Sequence, residues 1–240
     1  MAYPLKETRD IHLLNQAVTY TLVRRKRRSI GFKVDGSGLT VSAPPREPYH
    51  YLEHLIQERA PWIVKKLQEL EANRLPQRTW QNGERLLLLG DELELNLYRS
   101  LRRAEPIRST GKIWVGVPDT RDAEAVRQRV AQWYRRLAAQ HFQTRLACYA
   151  PRLGLAPPPL KLSNARTTWG MCLSSGVIRL SWRLIKAPQP QIDYVVAHEI
   201  AHLKHMNHSR AFWDTVAQLY PDFKSQRQAL ERDGARYHTF

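Results

Sequence analysis

Residues 198–208 read His-Glu-Ile-Ala-His-Leu-Lys-His-Met-Asn-His and gather four of the chain's nine histidines into eleven positions. Ile192, Val195, Val196, Ile200 and Leu203 recur at helical spacing around them, which predicts an apolar-striped helix over 191–206. Positions four apart on a helix differ by about 400° of rotation and ~6 Å of rise. His198 and His202 therefore stand one above the other on one face, where two imidazoles can share a metal ion. Glu199 lies about 100° round the helix. From there its carboxylate can reach a water on that ion without entering the coordination sphere. On a helix packed against a sheet, this flank borders a cleft. Nine His and thirteen Glu in 240 residues give about 0.02 chance occurrences of H-E-x-x-H, so accident is a poor explanation.

A third ligand is needed for an open catalytic site. His205 is seven residues from His198, about 10 Å along a continuous helix axis, which makes sharing one tetrahedral ion difficult. His208 lies beyond Asn207, a residue type that tolerates the left-handed backbone found at helix ends. A chain turning back there brings His208 to the open side. The metal set is then His198, His202 and His208, with Glu199 as the catalytic residue. His205 is left to cap carbonyls or to touch the site from outside. Zinc in such a site supplies an acidified water and a polarised carbonyl. Glu199 is placed to take the proton and pass it to the leaving amine.

The remaining pattern predicts strands over 18–25, 29–35 and 38–44, with a turn at Asp35-Gly36-Ser37-Gly38. Residues 49–73 read as helix with a break at Pro61, residues 84–98 as a hairpin turning at Gly90-Asp91, and 112–118 as a strand. A long helix capped by Asp119 or Thr120 runs to Tyr149. Strands follow at 161–169 and 176–182, joined by residues 171–176. A helix starting at Ser209 carries Phe212, Trp213, Val216 and Leu219, and Pro221 ends it. The boundary is placed near 118: a β-rich N-terminal region over 1–118 with one helical segment, and a catalytic domain over 119–240, with a shared core left open.

No apolar run approaches the ~18–20 residues of a membrane span, and residues 1–14 lack the pattern of a secretory signal. Cys148 and Cys172 are too few for a disulfide framework. A soluble, cytoplasmic setting without membrane contact is expected. The formal net charge of +16 favours acidic partners such as nucleic acid, nucleotides or acidic proteins.

Residues 191–213 (QIDYVVAHEIAHLKHMNHSRAFW), 166–184 (RTTWGMCLSSGVIRLSWRL), 24–45 and 60–67 resemble the YgjP-like metallopeptidase family, relatives of the SprT-like zincins. The resemblance covers most of residues 18–220. It implies an α+β, zincin-like fold: a small twisted sheet, a backing helix and a metal-binding helix, preceded by a β-rich region. It also implies zinc as cofactor, a peptide or protein substrate and His208 as third ligand. Metzincins share the histidine spacing, but they carry glycine where this chain has His205. No methionine follows here to form their Met-turn.

Around the metal, the strand over 176–182 is expected to hold an extended peptide, and Tyr194 or Arg166 to donate to an oxyanion. Trp169 and Gly170 shape the strand pair. Asp214 is a candidate to orient a ligand histidine, and Cys172 a candidate fourth ligand that would close the site. Two rivals remain. A metal-dependent nucleoside triphosphate hydrolase would use Arg24 to Arg28 and Arg166 on phosphates, although no Gly-rich phosphate loop is present. A DNA-associated SprT-like protease would use the same basic surplus on nucleic acid.

Overall fold

A computed structural model of the chain describes residues 5–72, 78–102 and 104–240. They form a mixed α+β protein that divides into two compact units, residues 1–76 and 77–240.

The first unit holds strands β1 (Leu5–Leu13), β2 (Gln16–Arg24), β3 (Gly31–Asp35) and β4 (Gly38–Ala43) in the order β1-β2-β4-β3. β1 was not expected, because LKETRDIHL mixes charges into its alternation and reads as polar. It pairs antiparallel with β2 along its whole length. Val18, Tyr20 and Leu22 of β2 and Leu39, Val41 and Ala43 of β4 alternate inward. Helices α1 (Tyr49–Glu58) and α2 (Ala60–Ala72) cover that face through Leu52, Ile56, Ile63 and Val64. The expected break falls at Arg59, and Pro61 sits in the first turn of α2, where its missing N–H costs nothing. Of the basic run only Arg24 lies on a strand, where it pairs with Glu7 at 3.6 Å and donates to the Glu47 carbonyl at 2.8 Å. Arg25, Lys26 and Arg28 are exposed on the following loop.

The second unit opens with β5 (Arg85–Leu88), β6 (Asp91–Arg99), β7 (Ile107–Ser109) and β8 (Lys112–Val117), in the order β5-β6-β8-β7. The β5–β6 turn is Leu89-Gly90, with φ of 53° and 90°, the double positive-φ geometry of a tight hairpin. It lies one residue earlier than expected. The long helix α3 (Ala123–Tyr149) follows. Its cap is Asp122, which accepts from the Ala125 N–H at 3.0 Å, and not Asp119 or Thr120. Leu86, Leu88, Leu93, Leu95, Ile113, Val115 and Val117 share one buried cluster with Val126, Val130, Trp133 and Phe142 of this helix. The chain accordingly divides after residue 76 and not near 118: the strands before 118 bury their apolar face on the helix after it.

The third sheet is β9 (Leu160–Ser163), β10 (Gly170–Cys172) and β11 (Ile178–Ser181), in the order β10-β11-β9. Two expectations are corrected here. The strand expected over 161–169 stops at Ser163, and Met171 and Cys172 belong to β10 instead of a connection. β9 and β11 run parallel, with β10 antiparallel to β11. Three helices complete the unit: α4 (Gln189–Ala201), α5 (Arg210–Leu219) and α6 (Phe223–His238). α6 was not expected.

α4 is buried on nearly all sides. Asp193 on it takes a bidentate ion pair from Arg145 of α3 at 2.6 and 2.9 Å. It ends five residues before the expected 206. The N–H groups of Leu203, Lys204 and His205 bond to the carbonyls of Ile200 and Ala201 at 3.0–3.1 Å, which winds the last turn tight. Asn207 is not left-handed, so it is not the helix breaker. Ser209 caps α5 as expected, accepting from the Phe212 N–H at 3.4 Å. No helix among the described residues is long and apolar enough to cross a membrane.

Candidate metal centre

The last turn of α4, the residue that caps it and the loop just ahead of α5 bring three imidazoles together. His198, His202 and His208 each offer a ring nitrogen, and these atoms lie within 4.8 Å of one another. Nε2 of His198 and Nε2 of His208 are 3.3 Å apart. Two nitrogens ~2.0–2.1 Å from a tetrahedral zinc would be separated by roughly 3.3 Å, so the spacing fits that ion. Nδ1 of His202 donates to the His205 carbonyl at 3.0 Å. This fixes the tautomer and leaves Nε2 free to face the cluster. His205 thus touches the site from outside, through its backbone. Nδ1 of His198 is buried without a partner.

Phe212, fully buried on α5, is the wall against which the three rings are set. Its centroid is 4.9, 4.4 and 4.8 Å from those of His198, His202 and His208. Trp213 stacks on His208 at 5.7 Å. Burial, and after it the charges of His202, His208 and Arg227, push His198 down to about 3. Burial lowers His202 as well. Both rings are therefore neutral near pH 7, the form in which imidazole binds a metal.

Glu199 is buried beside this cluster and outside its donor set. Burial raises its carboxyl to about 8, against the stabilising N–H of Cys172. Oε2 has no partner. The thiol of Cys172 points to the Leu173 carbonyl at 3.7 Å, and Cys172 is not part of the cluster. A site closed by sulfur is not what the chain builds.

A cleft of about 280 Å³ opens on His198 and Glu199, lined by Thr168, Trp169, Gly170, Tyr194, Arg227 and Glu231 among others. The structure places Tyr194 there, buried and edge-on to His198 at 6.0 Å. Arg166 is exposed and is not among the cleft's lining residues. Asp214 is exposed and lies 4.0 Å from Arg210, so it orients no ligand. Arg227 and Glu231, ion-paired at 2.9 Å, were missed because α6 was missed. Their signal was present: Phe223, Leu230 and Tyr237 recur every seven residues and are all buried.

Residues 28–233 match the YgjP-like, metallopeptidase domain family. The chain belongs to that family. This YgjP-like domain is also similar to the crystal structure of the metallopeptidase zymogen of Pyrococcus abyssi abylysin, at 21% identity and a TM-score of 0.35. The match covers 38% of this chain and 93% of that one. No curated protein matches the chain.

Proposed function

We propose that this YgjP-like domain is a zinc-dependent peptidase that hydrolyses peptide bonds, with Glu199 as general base. The observation that carries the reading is the pairing of two features. Three histidine nitrogens converge within 4.8 Å of one another, one pair at the 3.3 Å of zinc ligands, and a buried carboxyl stands beside them without joining them. Three imidazole nitrogen donors suit zinc and leave one position open. When bound, zinc supplies Lewis acidity and a water acidic enough to lose its proton near neutral pH.

The chain's own residues do the rest. With a dication on the three histidines, the raised Glu199 carboxyl is drawn back toward its ionised form, and the carboxylate then accepts the water's proton and returns it to the leaving amine. Gly170 and the Cys172 N–H hold that carboxyl at the cleft. The substrate strand needs a free sheet edge. β11 was expected to supply it, but β11 is the central strand, paired on both sides. The edge is β10, whose Gly170 lines the cleft. Tyr194, which lines the cleft beside His198, is the donor assigned in this reading to the developing oxyanion, and Arg227 of α6 lines the same cleft. A cytoplasmic setting is part of the reading, since both cysteines are free thiols.

The test is hydrolysis of an unstructured protein and of a nucleoside triphosphate by zinc-loaded wild type and Glu199→Gln. The reading expects protein cleavage by the wild type alone, with zinc retained by both. Nucleotide cleavage without peptide cleavage would replace it.

A further inference from the structure

Away from the metal, unit two buries basic side chains that have no ion-pair partner among the described residues. Arg183 and Lys186, on the turn after β11, are 3% and 2% exposed. Isolated buried charge is strongly unfavourable, and proteins pair it. Three basic side chains converge on one indole: Arg183, Arg135 and Lys186 lie 4.4, 5.4 and 5.6 Å from the ring centre of Trp182. His238 adds a half-buried imidazole, stacked on Trp169 at 3.9 Å. The charges acting on Arg183 are Arg166 and Arg135; those on Lys186 are Arg78 and Arg183; those on His238 are Arg183, Lys186 and Arg166. No carboxylate is among them, and Arg78 is already paired with Glu84 at 3.1 Å.

The neutral contacts do not use up the donors. Arg183 Nη1 donates to Asn164 Oδ1 and to its carbonyl at 2.9 and 3.2 Å, and Lys186 donates to the Thr239 carbonyl. Arg183 Nε and His238 Nδ1 remain buried without partners. Arg135 and Arg166 are exposed, so the group opens to solvent on their side. Trp169 stands between it and the metal cleft, since its ring stacks on His238 and also lines the cleft.

We propose that Arg183, with Arg135, Arg166 and His238, forms a binding site for a small oxyanion, a phosphate or carboxylate group. A planar guanidinium whose Nε–H lacks a partner suits both, and the anion supplies the missing counter-charge. The site uses none of the zinc ligands and does not depend on peptidase activity.

The test is isothermal titration of the zinc-loaded protein with inorganic phosphate and with glutarate at constant ionic strength. Wild type is compared with the surface variant Arg135→Gln/Arg166→Gln, which removes no buried group. Saturable binding of one anion that weakens at least about tenfold in the variant is expected. Tighter phosphate assigns a phosphate ligand, and tighter glutarate a carboxylate. Absence of saturable binding to both anions, or equal binding by the variant, overturns the proposal. Arg183→Lys, which keeps the charge and loses the fork, should also weaken binding.

Discussion

Gly170 leaves the space that Glu199 fills: a β-carbon on residue 170 would lie 2.3 Å from Oε1 of Glu199 and 2.6 Å from its Cδ. The glycine of the Trp-Gly pair is thus required by the carboxyl of the neighbouring helix, and not by its own backbone angles. Gly170→Ala should displace Glu199 and cut kcat/KM by roughly 10²–10⁴-fold, the scale of a lost general base. Zinc content should be unchanged. Steady-state kinetics beside metal analysis checks this, and full activity in the variant would break the link between the two residues.

Phe212 touches all three imidazoles, so its loss should be felt first in the metal. Phe212→Leu keeps an apolar group and is expected to weaken zinc affinity about 10–100-fold, as when a ligand's support is removed. Competition with a chromogenic chelator measures it. Phe212→Ala should in addition cost about 3–5 kcal/mol of stability.

With zinc removed, stability should depend on pH in a defined direction. Glu199 is raised to about 8 from its ordinary 4.5, so the folded chain holds its proton where the unfolded chain has lost it. Stability then falls as pH rises through that window. His198, lowered to about 3 from 6.5, acts oppositely, since its contribution rises with pH up to 6.5. Between about 6.5 and 8 the rise due to His198 is over and Glu199 contributes a fall, worth a few kcal/mol at most, while buried Lys186, lowered well below its ordinary value, acts in the opposite direction in both proteins. Urea midpoints in chelator should therefore drop across that interval in wild type relative to Glu199→Gln.

Arg145 and Asp193 tie α3 to α4 through a bidentate pair, and Gln189 also donates to Asp193 at 2.7 Å. Asp193 is 6% exposed. Arg145→Met should cost about 3 kcal/mol by leaving that carboxylate buried and unpaired. Arg145→Met/Asp193→Leu should recover most of the loss. A double-mutant cycle by urea denaturation reads both numbers.

The site was legible because its chemistry is compressed into one turn and its return. His198, His202 and Glu199 are fixed by helical geometry alone, and His208 by the need for a third ligand close in sequence. The reason given for the turn was mistaken: Asn207 does not end α4, which closes at Ala201 on backbone bonds that carry no side-chain signature. α6 escaped because its buried Phe223, Leu230 and Tyr237 are separated by charged stretches, and with it went Arg227 and Glu231. The division at 76 was hidden for a related reason. Strand patterns show which residues face inward, but not that the partner of β5–β8 is a helix beyond residue 122. Sheet order is likewise non-local, so β11 was taken for an edge when β10 covers it.

The central claim is that His198, His202 and His208 hold one zinc ion while Glu199 stays outside it. Elemental analysis of the purified protein tests this most directly, with wild type, His208→Ala and Glu199→Gln prepared in parallel. The account predicts about one zinc per chain in wild type and in Glu199→Gln, and a loss of most of it in His208→Ala. Full zinc in His208→Ala, or its loss from Glu199→Gln, would contradict it.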